Sequence, residues 1–175
     1  ASSRGITPQQ LVDEVAPNFE RLWRQMGLTM DHCVRTTHAS HKAVVQARFR
    51  ELLAKGDIYK AEYEGLYSVS DEAFVTETQA KELQAQGLGH QLVTLKEESY
   101  FFRLSAYENW ILQLYARWPG FVQPEFRLNE VKQFVAPGGE RGNLQDLSIS
   151  RTSITWGIPV PGDEKHVVYV WFDAL

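Results

Sequence analysis

The sequence has one cysteine, Cys33, among 175 residues. A single cysteine excludes an internal disulfide bond and a zinc cluster built from thiolates, and it fits a reducing compartment. No run of about eighteen apolar residues occurs, so the sequence predicts no membrane-spanning helix. Residues Ala1 to Gly5 lack the apolar core of a secretory signal. The formal net charge of −4 provides no general attraction for nucleic acid or anionic lipid.

Length and composition predict one globular domain, or one domain that carries an insertion. With 43% hydrophobic and 23% charged residues, the chain is ordinary for a globular protein and can form a substantial core. It contains no internal repeat, no low-complexity segment and no glycine-rich phosphate loop.

The N-terminal part has helical patterns. Thr7 followed by Pro8 is typical of a helix start, and apolar residues then recur at helical spacing until Gly27. A second helix is predicted to begin near residues 38–40 and to end at Gly56, because glycine is common just after a helix.

The middle of the chain is predicted to be rich in β-structure. Residues 58–69 alternate in polarity and contain several tyrosines, which favours one or two antiparallel strands with a turn at Glu64-Gly65. Further elements are predicted as a helix at 77–86, a strand at 91–104, and helices at 105–117 and 127–135.

Two strand-like runs, 147–149 and 167–172, bracket a connection rich in glycine and proline. The second run is apolar at nearly every position, which is typical of a strand buried on both faces in a parallel sheet. Trp171, Asp173 and Ala174 would then lie at the carboxyl edge of a sheet, where open α/β folds bind their ligands.

Several stretches together resemble the methionyl-tRNA synthetase family of class I aminoacyl-tRNA synthetases. They are Arg35-Thr-Thr, Gly56-Asp-Ile-Tyr-Lys-Ala-Glu-Tyr-Glu-Gly-Leu-Tyr, Glu97-Glu-Ser-Tyr-Phe-Phe-Arg-Leu, Asp146-Leu-Ser-Ile-Ser-Arg-Thr, Trp156-Gly-Ile-Pro-Val-Pro-Gly and Tyr169-Val-Trp-Phe-Asp-Ala. The resemblance covers almost the whole chain.

The resemblance implies an α/β fold, part of a class I Rossmann-like nucleotide-binding fold with a small β-rich connective insertion. The insertion would be similar to a zinc knuckle but free of metal. The implied segments are the end of the first Rossmann-fold half (1–57), the connective insertion (58–104), a helical connection (105–145) and the start of the second half (146–175).

By resemblance, the full-length enzyme uses ATP with Mg²⁺ to activate methionine as methionyl-adenylate, and transfers it to tRNA(Met). A cytoplasmic or organellar location and no membrane partner are expected. The family's ATP-binding signatures, of the His-Ile-Gly-His and Lys-Met-Ser-Lys-Ser types, do not occur in this sequence. We therefore expect the fragment alone to be inactive.

The resemblance also assigns three site residues. Pattern alone favours Arg151 as a strand-end arginine paired with a surface carboxylate, whereas the family's Ile-Ser-Arg motif places it as a catalytic residue at the activation site. Trp171 corresponds to a wall of the methionine side-chain pocket, and Ala174 to a neighbour in that pocket. Asp173 is interpreted as the cap of the following helix.

No metal site is expected in this chain. Many family members hold zinc through cysteine pairs in the insertion, but Ser68 and Asp71 stand at the equivalent positions and His90 alone cannot complete a site. His38 and His41, three residues apart, are interpreted as helix-capping and solvent-exposed.

Two alternatives stay open at this point. The chain could be a non-catalytic interaction module that keeps the connective fold as a scaffold. It could also belong to another class I synthetase, for leucine, isoleucine, valine or cysteine.

Overall fold

The computed structural model describes residues 1–68, 73–74, 77–87, 92–137 and 144–174. The helices in these ranges are α1 (Pro8–Gln25), α2 (Ala39–Lys55), α3 (Glu77–Ala85), α4 (Glu108–Arg117), α5 (Glu125–Val135) and α6 (Val170–Asp173). The strands are β1 (Ile58–Ser68), β2 (Ala73–Phe74), β3 (Leu92–Phe102), β4 (Leu147–Ser148), β5 (Ser150–Arg151), β6 (Ile158–Val160) and β7 (Asp163–Val168). None of the helices within these ranges could cross a membrane.

Local capping explains where α1 begins and where α2 ends. The Thr7 hydroxyl accepts a hydrogen bond from the backbone N–H of Gln10, and the Gln10 side chain accepts one from the Thr7 N–H. Gly56 follows α2 with a φ of 86°, so the predicted helix end is confirmed. His38 is the N-cap residue of α2, but its side chain makes no capping hydrogen bond, so that part of the interpretation is wrong.

A long antiparallel ribbon dominates the first sheet, whose strand order is β2-β1-β3-β4. β1 pairs with β3 residue for residue, from Ile58 opposite Phe102 to Ser68 opposite Leu92. The predicted turn at Glu64-Gly65 is wrong, because Gly65 lies within this ladder opposite Leu95. Pairing along the whole strand outweighs the local preference of one glycine for a turn.

The second sheet has the order β5-β7-β6, and both of its pairings are antiparallel. The prediction of one parallel-sheet strand over 167–172 is therefore wrong. β7 ends at Val168, and α6 begins at Val170, where exposure rises to 50%. A short apolar run does not by itself distinguish a strand from a helical turn, which explains the error.

Ile149 joins the two sheets. Its backbone N–H donates to the Tyr100 carbonyl at 2.8 Å, and its carbonyl accepts from the Tyr169 N–H at 2.8 Å. Its side chain is fully buried in a core that α2 closes from one side. The core cluster comprises Val45, Phe49, Ile58, Tyr100, Ile149, Ile158, Val160 and Val168. β4 also pairs with β3, so the first sheet includes residues from both the 58–104 and the 146–175 segments. The division of the chain into these segments stays a prediction.

Candidate functional site

Arg151 lies on β5 with only 6% of its surface exposed. Its Nη1 donates to the Ser148 hydroxyl at 2.7 Å and to the Ser150 carbonyl at 2.8 Å. Its guanidinium carbon lies 4.0 Å from the centre of the Tyr169 ring, in a cation–π contact. Three groups therefore hold one end and one face of the guanidinium.

The Nε–H of the Arg151 guanidinium is an unused hydrogen-bond donor within the described part of the chain. The nitrogen itself is buried. Within the same ranges Arg151 forms no ion pair, so no described carboxylate supports its interpretation as one half of a surface pair. A buried guanidinium with an unused donor is well suited to bind an anion.

Trp171 and Ala174 lie at the helical turn that follows β7. Trp171 is in α6 and is 55% exposed, and Ala174 closes the turn by donating its N–H to the Val170 carbonyl at 3.0 Å. Ala174 is the residue that follows α6, three positions after Trp171, and both residues are exposed. The structure thus places Trp171 on a helical turn and not on a strand.

A cavity of about 190 Å³ lies between the start of α2 and β7. Its lining residues include Thr36, Thr37, Lys42, Trp156, Tyr169 and Asp173. Cavities that enclose drug-sized ligands usually measure about 300–1,000 Å³, so this one suits a smaller group. Tyr169 lines the cavity and also stacks on Arg151, so the two features adjoin.

Asp173 contributes a carboxylate to this cavity and is the last residue of α6, and its interpretation as the cap of a following helix stays a prediction. Burial raises its pKa above the ordinary 3.8, and nearby His41 partly opposes that rise. Asp173 Oδ1 and His41 Nε2 are buried without hydrogen-bond partners in the described ranges.

Beneath Arg151, a polar network connects β1, β3 and β7. Lys60 Nζ lies 2.6 Å from Glu98 Oε1 and 2.7 Å from Asp163 Oδ2. The buried His166 places Nε2 3.2 Å from Glu98 Oε1 and Nδ1 3.1 Å from the Ser150 hydroxyl. The ammonium of Lys60 holds the pKa of both carboxyl groups below their ordinary values.

Glu98, Asp163 and His166 could offer ligand atoms to a metal, since these atoms lie within 4.8 Å of one another. The ammonium of Lys60 pairs with both carboxylates and offsets one of their two negative charges. The side chain of Ser68, and residues Asp71 and His90, lie outside the described residues.

Sequence reasoning missed the serines around Arg151. Ser148 and Ser150 lie in the quoted motif, where serine alternates with apolar residues just before the arginine, and that alternation was an available signal. Ser99 gave no local signal, because it is 49 residues from Ser148, whose hydroxyl it contacts.

Comparison with known proteins identifies the family. A model of the family described as tRNA synthetases class I (M) matches residues 1–87 and 83–175, which together cover the chain. The chain therefore belongs to this family.

Relatives within the family carry a more specific name. A methionine--tRNA ligase of Halalkalibacterium halodurans is 48% identical over 187 residues, which covers 100% of this chain and 28% of the relative. A methionine--tRNA ligase of Lactococcus lactis is 45% identical, with coverages of 100% and 27%. The chain thus spans little more than a quarter of the length of these relatives.

A solved structure shares the fold. The structure of Mycobacterium tuberculosis methionyl-tRNA synthetase in complex with methionyl-adenylate aligns with 99% of this chain at a TM-score of 0.84. The sequences are 39% identical, and the alignment covers 34% of that structure. The predicted α/β class and the resemblance to this family are confirmed.

Replacing Lys60 with methionine should change the acid sensitivity of the fold. The folded-state pKa values of Asp163 and Glu98 lie below the ordinary 3.8 and 4.5. The two carboxylates therefore stabilise the fold when the pH is above their ordinary pKa values. That stability is lost as the pH falls through the lowered folded values. Lys60→Met should therefore unfold at lower urea concentration at neutral pH, and lose less stability between about pH 5 and pH 3.

Lys165→Met is the matched control for Lys60→Met. Lys165 is an exposed lysine on β7, and its loss changes the net charge equally without touching either carboxylate. Equal acid sensitivity of the two variants would contradict the role given to Lys60.

Proposed function

We propose that the chain is a catalytic-domain segment of a methionine–tRNA ligase. The whole enzyme uses ATP and Mg²⁺ to convert methionine to methionyl-adenylate, and transfers the methionyl group to tRNA(Met) in the cytoplasm or an organelle. The observation that carries this proposal is the buried Arg151 with its unused Nε, in a chain whose full-coverage relatives are named methionine--tRNA ligase.

Arg151 is proposed to stabilise the transition state of adenylate formation. A carboxylate oxygen of methionine forms a bond to the α-phosphorus of ATP, while the bond from that phosphorus to the pyrophosphate oxygen breaks and pyrophosphate leaves. Negative charge grows on the phosphoryl and leaving-group oxygens during this step. A buried guanidinium held in place can stabilise that charge without first reorganising.

Trp171 and Ala174 are proposed to contribute to the methionine side-chain pocket. About half of the surface of Trp171 is free of contacts with this chain, so its ring is available to a ligand. Thioether sulfur packs favourably against aromatic rings, and Ala174 beside it leaves room for an unbranched side chain. Selection here depends on size and shape, because the methionine side chain has no strong hydrogen-bonding group.

The finer fold assignment is also a proposal. Residues 1–57 and 146–175 are assigned to the two halves of a Rossmann-like domain, with 58–104 as a connective insertion and 105–145 as a helical connection. The long β1–β3 ribbon supports an inserted hairpin, because its strands leave the core cluster near Ile58 and Tyr100 and extend well beyond it.

Methionine-dependent exchange of pyrophosphate into ATP tests the proposed reaction and the role of Arg151. In the longer parent enzyme, methionine should stimulate exchange, and leucine, isoleucine, valine and cysteine should not. Arg151→Ala should lower kcat by about 10²–10³-fold with a smaller change in the KM for methionine, because the lost interaction acts in the transition state.

Arg127→Ala is the matched control for Arg151→Ala. Arg127 is an exposed arginine paired with Glu130, and removing a surface pair has little effect. The 175-residue chain alone should show no exchange. Exchange with none of the amino acids in the parent would favour a non-catalytic scaffold, and stimulation by another amino acid would favour a different synthetase.

Trp171→Ala should weaken methionine binding. Loss of one wall of an apolar pocket should raise the KM for methionine by about 10–100-fold and leave kcat closer to that of the wild type. Trp118→Ala is the control, because Trp118 is similarly exposed, at 53%, but follows α4. An unchanged KM in Trp171→Ala would remove Trp171 from the pocket.

We also propose that the insertion folds without zinc. The one cysteine of the chain, Cys33, lies between α1 and α2 and not in the ribbon, and serine is a poor zinc ligand. Metal analysis of the purified protein should find far less than one zinc per chain, and a chelator should leave the urea midpoint unchanged. Stoichiometric zinc with loss of stability on chelation would contradict this proposal.

A further inference from the structure

We propose that Ser148 and Ser99 are positioning residues that orient Arg151 through a closed ring of hydrogen bonds. The ring joins Arg151 on β5 to Ser148 on β4 and to Ser99 on β3. Its importance for the reaction rests on the proposed role of Arg151 in adenylate formation.

The direction of each hydrogen bond follows from which groups can donate. The Arg151 Nη1 group only donates, so the Ser148 hydroxyl, 2.7 Å away, accepts from it. The Ser148 hydroxyl has one hydrogen of its own, and the Ser99 hydroxyl lies 2.7 Å away to receive it. Ser99 then has its hydrogen for a backbone carbonyl, and the Ser150 carbonyl at 3.0 Å is nearer than the Tyr100 carbonyl at 3.2 Å.

The Ser150 carbonyl also accepts the second hydrogen of Nη1, at 2.8 Å. Both hydrogens of Nη1 are therefore engaged, and their two acceptors are linked to each other through Ser99. A closed ring resists rotation of the guanidinium better than two independent acceptors, because each donor polarises the next.

Ser99 is the member that connects this ring to the ribbon. It is 1% exposed, and it lies on β3 opposite Ala61 of β1. A buried hydroxyl that loses its partner has no water to replace it, so removal of either serine leaves polar groups unsatisfied. The orientation of Arg151 therefore depends on the position of β3 relative to β4 and β5.

Ser150 provides a matched control on the same segment. Its hydroxyl accepts from the Tyr100 N–H at 2.9 Å, contacts His166 Nδ1 at 3.1 Å and lies farther, at 3.3 Å, from the Ser99 hydroxyl. Only its backbone carbonyl contacts Arg151, so Ser150→Ala removes a buried hydroxyl of the same core and leaves both Nη1 acceptors in place.

Reaction of Arg151 with phenylglyoxal tests whether the ring holds the guanidinium, independently of activity. In the full-length enzyme, the rate is followed by mass spectrometry of the peptide containing Arg151, with the exposed Arg127 as internal reference. Ser148→Ala should raise the rate at which Arg151 reacts by about tenfold, because the guanidinium loses one charge-assisted hydrogen bond. Ser148→Thr, which keeps the hydroxyl, and Ser150→Ala should stay near the wild-type rate.

Kinetics of methionine-dependent exchange then test the consequence for the reaction. Ser148→Ala should lower kcat about tenfold with the KM for methionine nearly unchanged, and Ser148→Thr should restore it. Ser99→Ala should act in the same direction. The double variant Ser99→Ala/Ser148→Ala should resemble Ser148→Ala alone, because members of one ring are not additive.

The outcomes separate the two proposals. An unchanged phenylglyoxal rate in Ser148→Ala overturns the positioning role whatever the kinetics show, as does additivity of the two serine variants. A faster phenylglyoxal rate in Ser148→Ala with unchanged exchange supports the ring but overturns the role of Arg151 in the reaction. In that case Arg151→Ala should also leave exchange unchanged.

Discussion

The crossing of the chain at Ile149 is the constraint on which the rest of the structure depends. One buried residue uses its N–H in the first sheet and its carbonyl in the second, at 2.8 Å in each case. Buried backbone groups must be paired, so the two sheets cannot separate at this point without losing both bonds. The crossing places Ser148 beside β3 and Arg151 beside β7, and in this way it assembles side chains from three distant parts of the chain around one guanidinium.

Two cationic groups near this crossing have opposite arrangements, with Lys60 at an exposed position and Arg151 buried. Lys60 has two carboxylates within 2.7 Å, so its charge is balanced inside the chain. Arg151 contacts a hydroxyl, a carbonyl and an aromatic ring, which orient it without neutralising it. Desolvation of a charge is costly unless an opposite charge compensates it, and an anionic substrate group can provide that compensation. The two cations thus differ in that Lys60 pairs with carboxylates, whereas Arg151 makes no ion pair within the described part of the chain.

The sequence predicted what depends on local chemistry and missed what depends on distant partners. The end of α2 at Gly56 followed from a local preference, and the role proposed for Arg151 is drawn from a family motif. The helical turn at Val170 was missed, because a short apolar run fits a strand and a helix equally well. The ladder through Gly65 was missed since the strand that pairs there lies far along the chain. Ser99 could not be associated with Arg151 for the same reason, as 49 residues separate it from Ser148.

The position of Lys60 places a positive charge where a metal ion could otherwise bind. Its ammonium sits among Glu98, Asp163 and His166, whose ligand atoms lie close enough together to coordinate an ion. An ammonium carried on a side chain cannot dissociate, be extracted by a chelator or be exchanged for a competing metal. Lys60 therefore offsets part of the negative charge at the base of the ribbon with a cation that the chain itself holds in place.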